Sequence, residues 1–380
     1  MSVWFITGAS RGLGRELAAA AIEDGDRVIA AVRDPRAVLK ALPEAGGALL
    51  AVRLDVTDEQ QAEKAVATGI ERFGRIDVLV NNAGYGLFGG VEEISDAEAR
   101  ALFDTNVFGL LNVTRAVLPT LRAQHAGRII NIGSSAGFAS SAGRGLYSAS
   151  KFAVEGVTEA LRAEIVPLGI HVTVVEPGSF RTSFLTSDSR REAAETIPAY
   201  DGTAGKLSEA IQAGDGRQPG DPVRAAAAAI RQLAALDQPP LRLHLGSDCV
   251  SLVEDKLATV AEELGRWREL RRAGSTMAAR AARAVADQGH QRRPGLGRRP
   301  HGHPRLPGAR GCREREAAEV GPGPERPGPS LRSATRPEVL ATVVGNPSPT
   351  IKLVPASTDR RRSELIDGAT SRNATYKLFA

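Results

Sequence analysis

Five residues near the start of the chain, Val3 to Thr7 (VWFIT), limit the fold more than any other segment. They form a short apolar, β-prone run that stops at Gly8, the pattern of a strand buried on both faces of a parallel sheet. Gly8, Gly12 and Gly14 of TGASRGLG follow and lead straight into a helical stretch whose apolar positions are Leu13, Leu17, Ala21 and Ile22. Glycine lets the backbone turn tightly and approach a diphosphate, and a helix start adds unpaired N–H groups with a favourable dipole. A second strand, Arg27 to Val32, arrives one helix later and completes a βαβ unit. The unit predicts an α/β fold: a doubly wound Rossmann-type parallel sheet of about seven strands, in three layers, with a dinucleotide at the glycine turn.

The chemistry is written elsewhere. Tyr147 and Lys151 are four residues apart and share one face of a helix, and Ser134 lies thirteen positions before the tyrosine. A free phenol ionises near pH ~10, and an adjacent ammonium stabilises the phenolate and brings it towards working range. Ser134 is placed to hold the reacting oxygen. Any helix produces a Tyr-x-x-x-Lys spacing by chance, so this one draws its meaning from the glycine turn upstream.

Taken in order, several motifs resemble those of the short-chain dehydrogenase/reductase family, single-domain NAD(P)-dependent oxidoreductases. They are TGASRGLG at 7–14, LDVTD at 54–58, NNAG at 81–84, NVFG at 106–109, the Ser134, Tyr147, Lys151 set, and PG at 177–178. The resemblance runs from about residue 2 to about residue 272. It implies hydride transfer between nicotinamide C4 and a carbonyl or carbinol carbon by a catalytic set of Asn106, Ser134, Tyr147 and Lys151. Tyr147 would exchange the proton, Ser134 would bond the reacting oxygen, and Lys151 would lower the tyrosine pKa while gripping the nicotinamide ribose. Asn106 would hold a water that links the lysine to solvent. The resemblance further implies cofactor contacts from Gly8, Ser10, Arg11, Gly12, Leu13 and Gly14 in the turn, and from Asp55 and Val56 at the adenine. Asn81, Asn82, Ala83 and Gly84 would run along the adenosine ribose and stabilise the central sheet, Tyr147 and Lys151 would meet the nicotinamide ribose, and Pro177, Gly178 and Thr182 would close on the nicotinamide. Read from the residues alone, Asp55 is also a turn or helix-cap residue, Asn81 and Asn82 are turn formers, and Asn106 is also a satisfied core asparagine. Ser135, next to Ser134, is expected to point to the other side of the strand end.

Charge at the end of the second strand bears on the cofactor. In VIAAVRD, Val32 stands where an NAD-selective acid would be, Arg33 follows it, and Arg11 sits in the glycine loop. Two guanidiniums converging on a 2′-phosphate favour NADP(H), with NAD(H) as the alternative. A strand end one residue later would bring Asp34 towards the ribose and weaken that preference.

The segment from Ser183 to about Gly220 lacks regular patterning and sits where the family carries a mobile substrate lid. Its Phe184, Leu185, Ile197 and Tyr200, with Tyr85, Phe88, Phe138 and Leu146, suggest an apolar cleft for a lipophilic small-molecule substrate, and no acid or base in the lid names a charged one. A catalytically silent NADP-binding regulatory protein of the same fold is the competing reading, and the complete catalytic set argues against it. An epimerase or dehydratase would carry a shorter glycine spacing.

The chain has 380 residues, more than one such domain uses, and its charge divides unevenly. Residues 274–380 hold 19 of the 49 Lys+Arg and 9 of the 44 Asp+Glu, a net +10, whereas residues 1–273 are net −5. A catalytic domain at 1–273 and a largely disordered, Arg/Pro/Gly-rich tail at 274–380 are therefore expected, because stretches such as GPGPERPGPS bury too little apolar surface to offset chain entropy. Within the tail, 339–345 and 350–355 could pair as a marginal hairpin. The tail's charges carry no nucleic-acid-binding pattern, so nucleic acid is not an expected partner. Cys249, Cys312 and the scattered histidines suggest neither a disulfide frame nor a metal site. With no run of 18 apolar residues and an N-terminus that enters the first strand at once, no membrane span or signal is expected, and a cytoplasmic location fits. Wide apolar faces on helices at 98–122 and 148–167 point to a homodimer or homotetramer, as the resemblance implies.

Overall fold

The computed structural model describes residues 1–181, 184, 189–207, 209–210, 223–268 and 270. The expected tail at 274–380, with its hairpin, and Thr182 lie outside the described residues.

Seven parallel strands form the central sheet: β1 (Val3–Thr7), β2 (Arg27–Val32), β3 (Leu49–Arg53), β4 (Val78–Asn81), β6 (Gly127–Ile132), β7 (Ile170–Pro177) and β9 (Arg242–Leu245). Their order is β3-β2-β1-β4-β6-β7-β9, so the chain builds outward from β1 in one direction and then crosses back to build in the other. That reversal opens a crevice beyond the carboxyl ends of β1 and β4, where open α/β sheets take their ligands. The doubly wound sheet expected from the opening βαβ unit is present, with β9 as an edge strand.

Strand alternation builds two cores. Val3 and Phe5 face one layer with Ile29, Val52 and Leu79, and Trp4 and Ile6 face the other with Val28, Ala30 and Val80. Helices α3 (Glu59–Phe73), α5 (Gly109–Gln124) and α6 (Gly145–Ile165) cover the first face, and α1 (Gly12–Glu23) and α7 (Val223–Ala235) cover the second. Helix α8 (Ser247–Arg266) follows β9. Among the described residues no helix is long and apolar enough to cross a membrane.

Local chemistry sets several boundaries. Asp34 accepts from the Arg36 N–H and caps α2 (Pro35–Ala41), and Asp58 caps α3 through the Gln61 N–H. The cap of α3 is thus Asp58 rather than Asp55, which lies two residues past the end of β3. The stretch read as one helix at 98–122 is two. Helix α4 (Asp96–Phe103), started by a Ser95–Glu98 capping box, passes through a π-helical turn at Asp104–Phe108 into α5. Asn106 sits in that turn, and its side-chain bonds outside the helix anchor the widened turn. A separate two-stranded parallel sheet pairs β5 (Gly86–Phe88) with β8 (Arg190–Glu192), joining the segment after β4 to the lid region.

Candidate active site

A cavity of about 950 Å³ lies along the carboxyl ends of the strands, and each strand end delivers residues to it. At the end of β1, Gly8 and Gly12 adopt φ of +67° and +54°, conformations that favour glycine. Arg11, before α1, gives that helix no side-chain cap, so its first N–H groups remain available to a ligand. The turn is held from behind. Asn82 Nδ2 donates to the carbonyls of Thr7 (2.9 Å) and Gly8 (3.2 Å), and Thr7 Oγ1 accepts from the Asn82 and Ala83 N–H groups. Gly14 does not line the cavity. A Cβ there would come within 2.5 Å of Asn82 Nδ2 and 2.7 Å of the Gly8 carbonyl, so its role is close packing of α1 on the turn. A bare backbone cradle beside a helix start fits a dinucleotide diphosphate.

Arg11, Ser10, Leu13 and Arg33 border the same end. Strand β2 ends at Val32, as the sequence suggested, and Asp34 is committed to capping α2. Arg33 is exposed at the rim, and Arg11 Nε donates to Ser189 Oγ (3.0 Å). Asp55 and Val56 line the wall, with Asp55 Oδ1 accepting from the Thr57 N–H and Oγ1, so its turn role and an open second oxygen coexist. Asn81 turns into the sheet and donates to Thr114 and Asn131.

At the other end, α6 presents Tyr147 and Lys151, 6% and 8% exposed. Ser134, two residues past the end of β6, lies near enough to favour ionisation of the phenol, and its Oγ accepts from the Ala136 N–H (3.1 Å). Lys151 Nζ donates to the Ile132 carbonyl (2.8 Å) and lies 5.9 Å from the Tyr147 ring centroid. Burial pushes the Tyr147 phenol above its ordinary range, while the Ser134 hydroxyl and the Arg144 charge oppose that rise. Burial lowers Lys151 itself to about 8. Both Ser134 and Ser135 line the cavity, and of the two it is Ser134 that acts on the Tyr147 phenol.

Asn106 is buried and does not line the cavity. Its Oδ1 accepts from the Tyr85 N–H (3.0 Å), and its Nδ2 donates to the Tyr85 carbonyl and to Ser150 Oγ. Pro177 and Gly178 close the cavity beyond β7, where a Cβ on Gly178 would collide with the Asp248 carboxylate.

The Tyr147 ring lies between Phe88 and Phe184, each 5.9 Å away centroid to centroid. Tyr85 and Phe180 add to the aromatic lining. Five other residues expected in the cleft are used elsewhere or lie outside the described set. Phe138 packs edge-on to His244, Leu146 joins Leu87, Ile94 and Leu102, Tyr200 donates to Glu92, and Leu185 is outside the described residues. Ile197 is held by its N–H to Glu93 and does not line the cavity.

Sequence reasoning missed four charged residues in the lining: Asp104, Asp248, Arg191, whose guanidinium stacks 4.5 Å over Tyr85, and Arg144. The signal for Arg144 was available, since it stands three residues before Tyr147, one helical turn away on the same wall.

Known proteins match this arrangement. Residues 2–193 fit the model of the short chain dehydrogenase family. An oxidoreductase, BOA17, of Botryotinia fuckeliana is 37% identical over 269 residues, 70% of this chain and 97% of its own. A short-chain dehydrogenase from Streptomyces avermitilis superposes with a TM-score of 0.67 at 40% identity, over 72% of this chain and 100% of its own. Two further structures were solved with either form of cofactor. One is an alcohol dehydrogenase from Thermococcus sibiricus with 5-hydroxy-NADP (26% identity, TM-score 0.53, 65% of this chain and 97% of its own). The other is a short-chain dehydrogenase/reductase from Burkholderia phymatum with NAD (25%, TM-score 0.60, 70% and 95%).

Proposed function

The chain belongs to the short-chain dehydrogenase family and is an oxidoreductase using a nicotinamide dinucleotide; from that premise we propose that it moves a hydride between NADP(H) and a carbonyl or secondary-alcohol carbon of a lipophilic small molecule. The observation that carries this reading is the grouping of Tyr147, Ser134 and Lys151 on one wall of the strand-end cavity, between the glycine turn and the aromatic lining.

When bound, the nicotinamide supplies or accepts the hydride. In the reducing direction Tyr147 gives its proton to the carbonyl oxygen as the carbon gains hydride, and Ser134 donates a hydrogen bond to that oxygen. A phenol raised by burial keeps its proton through neutral pH, as an acid in this direction must. Lys151, lowered to about 8, returns a proton to the tyrosine near neutrality. Asn106, through its bonds to Tyr85 and Ser150, fixes the turn beside the lysine and belongs to the same set as a positioning residue.

The NADP(H) preference is supported by Arg11 and Arg33 at the cavity rim and by Asp34 being occupied with α2. The contacts assigned to Gly8, Ser10, Gly12, Leu13, Asp55, Val56, Asn82, Ala83, Gly84, Pro177 and Gly178 are supported by their place in the cavity wall. Phe88 and Phe184 beside Tyr147 support a lipophilic substrate. Exposed Phe108 and Phe152, on the helical stretches expected to meet across a dimer axis, support a homodimer or homotetramer. A catalytic unit ending near residue 273 accords with relatives whose nearly whole length matches about 70% of this chain.

Cofactor oxidation over a panel of hydrophobic ketones tests the proposal. Tyr147→Phe is expected to lose about 10²–10⁴-fold in turnover while still binding cofactor, and near-full turnover in that variant would remove the assigned acid.

A further inference from the structure

Of the lining charges that the hydride-transfer chemistry does not use, Asp104, Arg191 and Asp248 are exposed, whereas Arg144 is half-buried. Arg144 lies in the lining one turn before Tyr147, and its Nε is buried without a hydrogen-bond partner. Among the described residues no carboxylate pairs with it. Arg231 and Arg242, also partly buried, are by contrast paired with Asp24 and with Glu155 and Glu159. Taking a guanidinium out of water without a counter-charge is costly, and the cost falls when a ligand brings the missing anion. A guanidinium presents a planar fork of donors that matches a carboxylate in two parallel hydrogen bonds. Around it the wall is apolar, from Phe88, Phe184 and Tyr85, with the hydroxyl-bearing Ser140 and Ser141 beside it.

We infer that the substrate is an oxo or hydroxy acid: a lipophilic body whose carboxylate is held by Arg144 while its carbonyl meets Tyr147. The inference rests on the hydride-transfer reading and narrows its substrate class. It makes Arg144 a specificity-determining residue and leaves the proton and hydride steps as they are. Burial works against the guanidinium's charge, and a substrate carboxylate beside it offsets that cost.

The experiment compares matched acids and esters with the full-length protein and NADPH. The probes are 4-phenyl-2-oxobutanoate and 4-oxo-4-phenylbutanoate, each against its methyl ester. The wild type is expected to favour each acid by about tenfold or more in kcat/KM. In Arg144→Leu that preference collapses through KM, and Arg144→Lys retains part of it. Esters reduced as well as acids by the wild type would overturn the inference and leave the hydride-transfer reading standing. So would an Arg144→Leu variant that loses kcat equally on acid and ester, which would assign the guanidinium to Tyr147, or one that mainly loses NADPH binding, which would assign it to the cofactor. A binding arm is independent of turnover. By calorimetry on cofactor-loaded protein, 4-phenylbutanoate, which has no carbonyl to reduce, should bind the wild type and weaken about tenfold in Arg144→Leu. Failure to bind rejects the inference, and binding without any carbonyl reduction rejects the hydride-transfer reading instead.

Discussion

At the glycine-turn end of the cavity the recognition surface is backbone, fixed by Thr7 at the end of β1 and by Asn82 just past the neighbouring β4. At the acid–base end it is side chain, assembled from β6, α6, the segment after β4 and the lid region. The first end presents shape and N–H groups to a constant partner. The second presents titrating groups whose behaviour depends on burial and on which neighbours they meet. An alteration at the first end should therefore act through fit and at the second through charge.

The largest expected effect on cofactor binding tests fit. Gly14→Ala drives a methyl into Asn82 Nδ2 and the Gly8 carbonyl, and overpacking of this kind costs about 1–3 kcal/mol. Cofactor affinity should fall roughly ten- to hundredfold, with a lower urea midpoint. Unchanged fluorescence titrations with NADPH would break the contrast, because the turn would then not be the cradle. A smaller effect probes the one place where charge enters the backbone end. Arg33 is exposed, so solvent screens it, and Arg33→Ala should weaken NADPH by about tenfold relative to NADH. Equal losses for the two cofactors would mean that the rim does not read the 2′-phosphate.

The smallest effect lies behind the acid–base end. Glu176 is buried on β7 beside His244 Nδ1 (2.8 Å), and burial, with Glu155 adding to it, raises its carboxyl to about 8. Burial also holds His244 low, so the two groups meet without the opposite charges of an ion pair. Because the folded form keeps its proton where the unfolded chain, near 4.5, releases it, stability contributed by the protonated carboxyl is present below about 4.5 and drains away as pH rises to about 8. Melting curves of Glu176→Gln should lack this decline, closing a gap of a few degrees between pH 5 and 8. Parallel curves for the two proteins would show that the carboxyl ionises freely.

The difference between the two ends also explains what could be read from the chain. Strand β1, the turn and β2 follow from local rules, since VWFIT, three glycines and one strand spacing suffice, and their boundaries match within a residue. Tyr147 and Lys151 were legible because four residues on a helix fix their relation. The direction of Tyr147's pKa was not, because it depends on burial by Phe88 and Phe184, residues far away in sequence. The π-helical turn at Asn106 escaped for a similar reason. Nothing local distinguishes it from an α-helix, and only the distant Tyr85 backbone and Ser150 hydroxyl make the asparagine worth accommodating. Phe138 and Leu146 carried the right chemistry for a cleft and were placed in packing instead, a choice composition cannot express.

Lys151 is moored to the last carbonyl of β6, so the helix bearing the tyrosine is indexed to the sheet and cannot turn about its axis without casting off that bond. The direction in which the proton leaves is thus set by the most rigid layer of the molecule. Loops around the cavity can diverge to admit new substrates, yet each substrate must bring its carbonyl to the same fixed point of delivery.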